Sequence, residues 1–153
     1  MDLKAIKKLY SNVKFNARYG AAGARNFELA KDRGWTEEEI KDKFGTKDIT
    51  IVEKDIANQW IKQDGRCYHS GIPMDFANIY ISHSPLSPSV DRLDNSKGYH
   101  IDNFVICLRF FNLGRGQSSE KMFNESWEHI CKCLGIGYKP HTLEKFIYKN
   151  TEF

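Results

Sequence analysis

Residues 87–112 read SPSVDRLDNSKGYHIDNFVICLRFFN, and the fold turns on what this stretch becomes. Two short runs with strand character, 89–92 and 103–107, flank a polar loop containing Asn95-Ser96-Lys97-Gly98, whose composition suits a turn. The pattern predicts a hairpin. From Cys107 to Gly114 a helix can begin, since Leu108, Phe111 and Phe104 could pack back onto that hairpin. Polar residues are dense here for a strand region: Asp91, Arg92, Asp94, Asn95, Asn103 and then Asn112. Polar groups withdrawn from water need partners. The stretch is therefore either a well-satisfied turn or a set of side chains arranged around a metal and a phosphate.

Outward from the hairpin the chain reads as helices. Leu3, Ile6, Leu9, Tyr10 and Val13 recur at near-helical spacing, which predicts an amphipathic helix over 3–18, loosened or ended by Gly20 and Gly23. A second helical piece covers 26–32. Thr36 followed by Glu39 is a capping box, opening a helix of about two turns that ends near Phe44-Gly45. Residues 48–51 read as extended and 53–63 as helical, with Ile56, Trp60 and Ile61 roughly on one side. A turn-rich region through Pro73, Pro85 and Pro88 leads to the hairpin. Residues 118–134 form the clearest late helix, capped by Ser118 or Ser119 and carrying Met122, Phe123, Trp127, Ile130 and Leu134. The expected class is α+β: a hairpin-and-helix core over 50–116, a basic N-terminal helical arm over 1–49, and C-terminal helices over 117–153 packing on the core.

The whole chain sets bounds on these readings. Its 153 residues, 41% hydrophobic and 13% aromatic, suffice for a core, so wholesale disorder is not expected. No run reaches the ~20 apolar residues that span a bilayer, and Met1-Asp2-Leu3-Lys4 opens no signal-peptide core. A soluble, intracellular protein is expected, in a reducing interior. Cys67, Cys107, Cys131 and Cys133 form no CxxC pair, and the last two are too close for an ordinary disulfide. Net charge is only +3, but the first 35 residues carry eight basic against three acidic side chains. A basic helix of that kind, with Lys7, Lys14, Arg18 and Arg25, either lies on phosphates or is simply a solvated face.

Taken together, SVDRLDNSKGYHIDNFVICLRFFN resembles the HNH, or ββα-metal, endonuclease motif, in an Asp-Arg variant closest to phage-encoded members. QDGRCYHSGIPM at 63–74 resembles the Cys-x-x-(Cys/Ser/Thr)-Gly turn that commonly precedes it. The resemblance covers roughly residues 50–116. It implies a ββα-metal core and metal-dependent hydrolysis of DNA phosphodiester bonds, in a cell or in a phage-infected host. Asp91 and Asn112 would be a sparse oxygen-ligand pair for Mg²⁺ or Mn²⁺. Asn103 would tie the loop to the hairpin, and Arg92, Lys97, Arg109 and Arg115 would contact DNA along with the basic helix. A homodimer is compatible with the resemblance.

Two departures shape the expected mechanism. Where the family usually places a general-base histidine stands Arg92, which cannot accept a proton at neutral pH. Arg92 is then expected to grip the scissile phosphate. The base is sought among His83, His100, Tyr99 and His69, with the first two ranked highest. The second departure is at the zinc knuckles of many relatives: three of the four thiolate positions are missing, held here by Ser70, Leu108 and Phe111. No structural zinc is expected. Cys67, His69 and Cys107 could make a partial site, but packing of Leu108, Phe111 and Trp127 is expected in its place.

Each piece also has a plain reading: a surface ion pair at Asp91-Arg92, a turn at 94–98, a helix cap at Asn112. Their order along the chain favours the nuclease. The alternatives are a structure-specific or RNA-directed nuclease on the same core, and a DNA-binding module that keeps the fold without turnover.

Overall fold

The computed structural model describes residues 2–19, 23–44 and 47–135. Expectations that fall on Gly20, on Gly45 and on residues 136–153 lie outside them. The architecture is α+β. In chain order come α1 (Leu3–Tyr19), α2 (Gly23–Asp32), α3 (Glu37–Phe44) and α4 (Glu53–Lys62), then a 3₁₀ turn at Phe76–Tyr80. The hairpin follows as β1 (Pro88–Arg92) and β2 (Phe104–Leu108), then α5 (Arg109–Arg115) and α6 (Glu120–Cys133).

β1 and β2 pair antiparallel, with Ser89 opposite Cys107 and Asp91 opposite Val105. Every residue of β2 is buried, because helices close on both of its faces. Its outer edge would leave backbone groups unsatisfied, a liability inside a fold. Gln63, itself fully buried, covers its middle: the side chain donates to the Ile106 carbonyl at 2.6 Å and accepts from the Ile106 amide at 2.8 Å. The Tyr68 amide donates to the same carbonyl at 3.0 Å and the Leu108 amide to Cys67 at 3.3 Å, so a glutamine and the 67–68 segment together take the place of a third strand.

α1 begins where Asp2 accepts from the amides of Lys4 and Ala5 at 2.9 and 3.1 Å, satisfying donors that a helix start leaves open. Ala5, Ile6, Leu9, Val13 and Ala17 are buried, and they share one core with Ile56 of α4 and with Val90, Ile106 and Phe111 of the hairpin and α5. α1 forms a wall of the main core, because its apolar stripe has to be buried. Phe27, Ala30 and Ile40 of α2 and α3 make a smaller cluster against Tyr19. α3 opens on the Thr36–Glu39 capping box: the Thr36 amide donates to Glu39 at 2.8 Å and the Glu39 amide to Thr36 at 3.2 Å.

α6 is capped by Ser119, which accepts from the Met122 amide at 3.2 Å. Phe123 and Trp127 of α6 pack on Phe111, with Trp127 edge-to-face at 4.9 Å between ring centroids. Aromatic packing at this end fastens α6 to the hairpin–helix unit.

Candidate functional site

In β1, Ser89 and Asp91 point to the face that α5 covers, as the period of two requires. On α5, Asn112 and Arg115 are three residues apart and so share one side. The two periodicities interlock: Asn112 meets Ser89, and Arg115 meets Asp91.

Asp91 is 5% exposed and Arg115 2%. Arg115 Nε donates to Asp91 Oδ2 and Nη2 to Oδ1, both at 2.8 Å, a bidentate pairing. The same guanidinium reaches the Arg92 carbonyl, Asn95 Oδ1 and, through Nη1, the Ser118 carbonyl. Asp91 Oδ1 also accepts from the Arg92 amide at 2.8 Å, and Oδ2 from His69 Nε2 at 3.2 Å. A carboxylate only accepts, so His69 Nε2 carries the proton. Burial pushes the Asp91 carboxyl upward, but hydrogen bonds from His69 and Arg115 and the Arg115 charge outweigh it, leaving Asp91 below the usual carboxylate range.

His69 is buried and its Nδ1 has no hydrogen-bond partner among the described residues. Cys107, opposite Ser89 on β2, lies close by: the ligand atoms of His69, Asp91 and Cys107 all fall within 4.8 Å of one another. This buried His, Asp and Cys group could hold a metal ion. An imidazole that donates one nitrogen to a carboxylate and keeps the other bare has the arrangement of a metal-ligating histidine. Against that, burial pushes the Cys107 thiol well up, with the Asp91 charge adding to it, which disfavours the thiolate that a metal takes. The four acceptor positions of Asp91 are all taken. A cation reaches Asp91 only by displacing one of its donors.

The loop over 93–102 is held by Asn103, 4% exposed. Its Oδ1 accepts from the Asp94 amide at 2.8 Å, and its Nδ2 donates to the Asp94 and Gly98 carbonyls at 3.0 and 2.9 Å. Arg92 Nη1 donates to the Asn95 and Lys97 carbonyls at 3.3 and 2.9 Å, with the guanidinium 5.3 Å from the Tyr99 ring centre. The loop's far side docks on the segment before α4: the Tyr99 amide donates to the Asp48 carbonyl and the Thr50 amide to the Tyr99 carbonyl. His100 is tied on both ring nitrogens, Nε2 to Asp48 at 3.1 Å and Nδ1 to Thr50 at 3.0 Å.

In this structure the other expected site residues have the following partners. Arg115, expected on the DNA backbone, is buried on Asp91, because a charged strand residue facing a helix demands a counter-charge. Arg92, expected to clamp a phosphate, has one nitrogen bonded to loop carbonyls. Asp91 and Asn112, expected to share a cation, take different partners. The Asn112 amide nitrogen donates to Ser89 Oγ at 2.8 Å and to the Val90 carbonyl at 3.3 Å, leaving Oδ1 without a donor among the described residues. His83 is exposed with φ +57°, and its ring has no partner among the described residues. Lys97 is exposed, and its ammonium reaches Asp94 at 3.6 Å. Lys7, Lys14, Arg18 and Arg25 are all exposed.

The sequence singled out Cys107 as part of a partial site with Cys67 and His69, and His69 also as a low-ranked candidate base. Cys67 instead accepts from the Leu108 amide at 3.3 Å, in a turn closed from Gly71 at φ +69°, a conformation that favours glycine. Gln63 was not singled out at all; nothing in a helical sequence pattern marks which polar end residue will cap a strand edge.

Beside this centre a cleft of about 360 Å³ opens between α1 and α5, reaching Ser89 and Asn112. Arg109 lines it, half-buried, and its guanidinium has no partner among the described residues.

No protein-family model, curated protein or solved structure matches the chain.

Proposed function

We propose that this chain is a metal-dependent endonuclease that hydrolyses DNA phosphodiester bonds on a ββα-metal core of HNH type. The observation that carries the reading is the Asp91 strand, the Asn103-locked loop and the Asn112 helix, in that order and in mutual contact. Asp91 and the unengaged Oδ1 of Asn112 would hold Mg²⁺ or Mn²⁺, which suit sparse oxygen ligands. Such a cation polarises the phosphate and takes up charge on the leaving oxygen.

The protein's own part is positional. Asn103 fixes the loop, and with it the strand that carries Asp91. Arg115 balances Asp91 in the free protein, so Arg115 and the cation are competing partners of one carboxylate. Cation affinity is therefore weak until substrate phosphate offers both of them a further anion. Arg109 and the exposed cations of α1 attract the backbone. Of the two histidines favoured as base, His83 alone has a free ring among the described residues.

A second reading rests on a specific observation. With every acceptor of Asp91 occupied, the chain would be a nucleic-acid-binding module of this fold without turnover.

Nicking of supercoiled plasmid separates the two. With Mg²⁺ or Mn²⁺ the nuclease reading expects nicks, none in EDTA, and loss of nearly all activity in a folded Asp91→Asn variant. Undiminished cleavage in EDTA would overturn the metal assignment. Binding without nicking in either metal leaves the module.

A further inference from the structure

We propose that the cleft between α1 and α5 seats one unpaired nucleotide of a nucleic-acid strand, its base on Phe15 and its phosphate on Arg109. The inference rests on the nucleic-acid reading above and adds the form of the substrate.

Asn12 and Phe15 of α1 line one wall, and Arg109 and Asn112 of α5 the other, with Ser89 of β1 between them. At about 360 Å³ the cleft falls at the small end of the roughly 300–1,000 Å³ range of small-molecule sites. No carboxylate is among its lining residues, and Arg109 is a cation without a counter-charge among the described residues. An anionic group completes it. Phe15 is 47% exposed, and among the described residues its one aromatic neighbour is Tyr19 at 4.9 Å between ring centroids. The ring therefore keeps much of its surface open to a flat partner.

The Asn12 side chain has no hydrogen bond among the described residues. Its amide offers both a donor and an acceptor to a base edge. Anion, planar apolar face and mixed polar edge together describe a nucleotide. The base must be unpaired, because a ring on which a base lies flat competes with its neighbours in a duplex stack. The cleft also opens onto Ser89 and Asn112, beside Asp91, so a strand held there runs past the proposed hydrolytic centre.

The test is equilibrium binding in EDTA, followed by fluorescence anisotropy. The probes are a thymidine strand of roughly ten nucleotides, a duplex of equal length, and free thymidine monophosphate as competitor. The strand should bind at least about tenfold tighter than the duplex. Phe15→Ala should weaken strand binding about tenfold while leaving the duplex unchanged. Phe15→Leu keeps apolar bulk without a ring and should behave like alanine. Arg109→Gln should weaken strand binding and reduce its salt slope by about 0.7.

Equal or tighter duplex binding overturns the proposal, as does strand binding that neither Phe15 variant affects. Binding of the free nucleotide with no binding of the strand also overturns it, making the cleft a small-molecule site. The two readings fail separately. Strand preference without nicking in any metal sinks the nuclease and keeps the cleft. Nicking without strand preference does the reverse.

Discussion

Arg115 closes on Asp91 with two parallel hydrogen bonds of 2.8 Å, and both groups are withdrawn from solvent. Removing one partner leaves the other buried and charged without compensation. Asp91→Ala or Arg115→Ala should each destabilise the fold by about 3–5 kcal/mol. An Asp91→Leu, Arg115→Met double variant, which buries no charge, should lose much less than the sum. Urea unfolding measures all three, and strict additivity would show that the pair is not coupled. Activity assays on this site therefore need a folded variant, for which Asp91→Asn is the better choice.

The same pair sets the response to acid. The Asp91 carboxyl lies below its ordinary value in the folded chain, whereas in the unfolded chain it titrates near ~3.9. Its contribution is fully present above that unfolded value and is lost as pH falls through the lower folded one. The urea midpoint should drop on acidification below about pH 4. Asp91→Asn should make that slope shallower without removing it. Asp94 and Glu39 are lowered too, chiefly by hydrogen bonds from Ser96 and Thr36. An unchanged slope in Asp91→Asn would contradict the depressed carboxyl.

The loop depends on two positions. Asn103→Ala removes three hydrogen bonds to Asp94 and Gly98 and should destabilise by about 2–3 kcal/mol. Asn103→Asp should be at least as damaging, since a carboxylate cannot donate to the Asp94 and Gly98 carbonyls. At Gly98 a Cβ would collide with the Asp48 carboxylate and with its backbone carbonyl. The backbone part of that clash cannot be relieved by a rotamer, so Gly98→Ala should cost about 1–3 kcal/mol. Hydrogen exchange over 94–103 should rise in both positions' variants. Protection equal to the parent's would mean that the loop is held by other contacts.

Cysteine labelling reads out the core and the candidate metal group together. Cys67, Cys107 and Cys131 are buried and Cys133 is exposed. A thiol reagent under native conditions should therefore modify Cys133 first and fast, and the other three only at the rate of unfolding. Cys107 should show no faster phase of its own in the folded chain, as burial raises its thiol well above the ordinary value and the thiolate is the reactive form. Rapid labelling of Cys107 in the folded chain would place an accessible thiolate there, whereas a bound cation would show as labelling slowed by added metal.

The sequence by itself determined the main helices, the hairpin and their order, but left the 3₁₀ turn at Phe76–Tyr80 inside a turn-rich region. Local physics was enough for that: the period of the α1 stripe, the Thr36–Glu39 capping box and the turn composition at 94–98 are all carried by residues close in sequence. It also singled out Asp91, Asn103 and Asn112, because their order along the chain is itself a pattern. Only the tertiary structure decided what those residues touch. Asp91 and Arg115 are 24 positions apart, and Gln63 and Ile106 are 43 apart, so neither pairing leaves a mark in a local window. The basic character of α5 and α1 was legible in the sequence, but its distribution between interior and surface was not. Burial of Arg115 follows from the register of β1 against one side of α5, whereas Arg109, six residues earlier, is left to line the cleft. Charge is a property of a residue; whether that charge meets a carboxylate or solvent is a property of the packing.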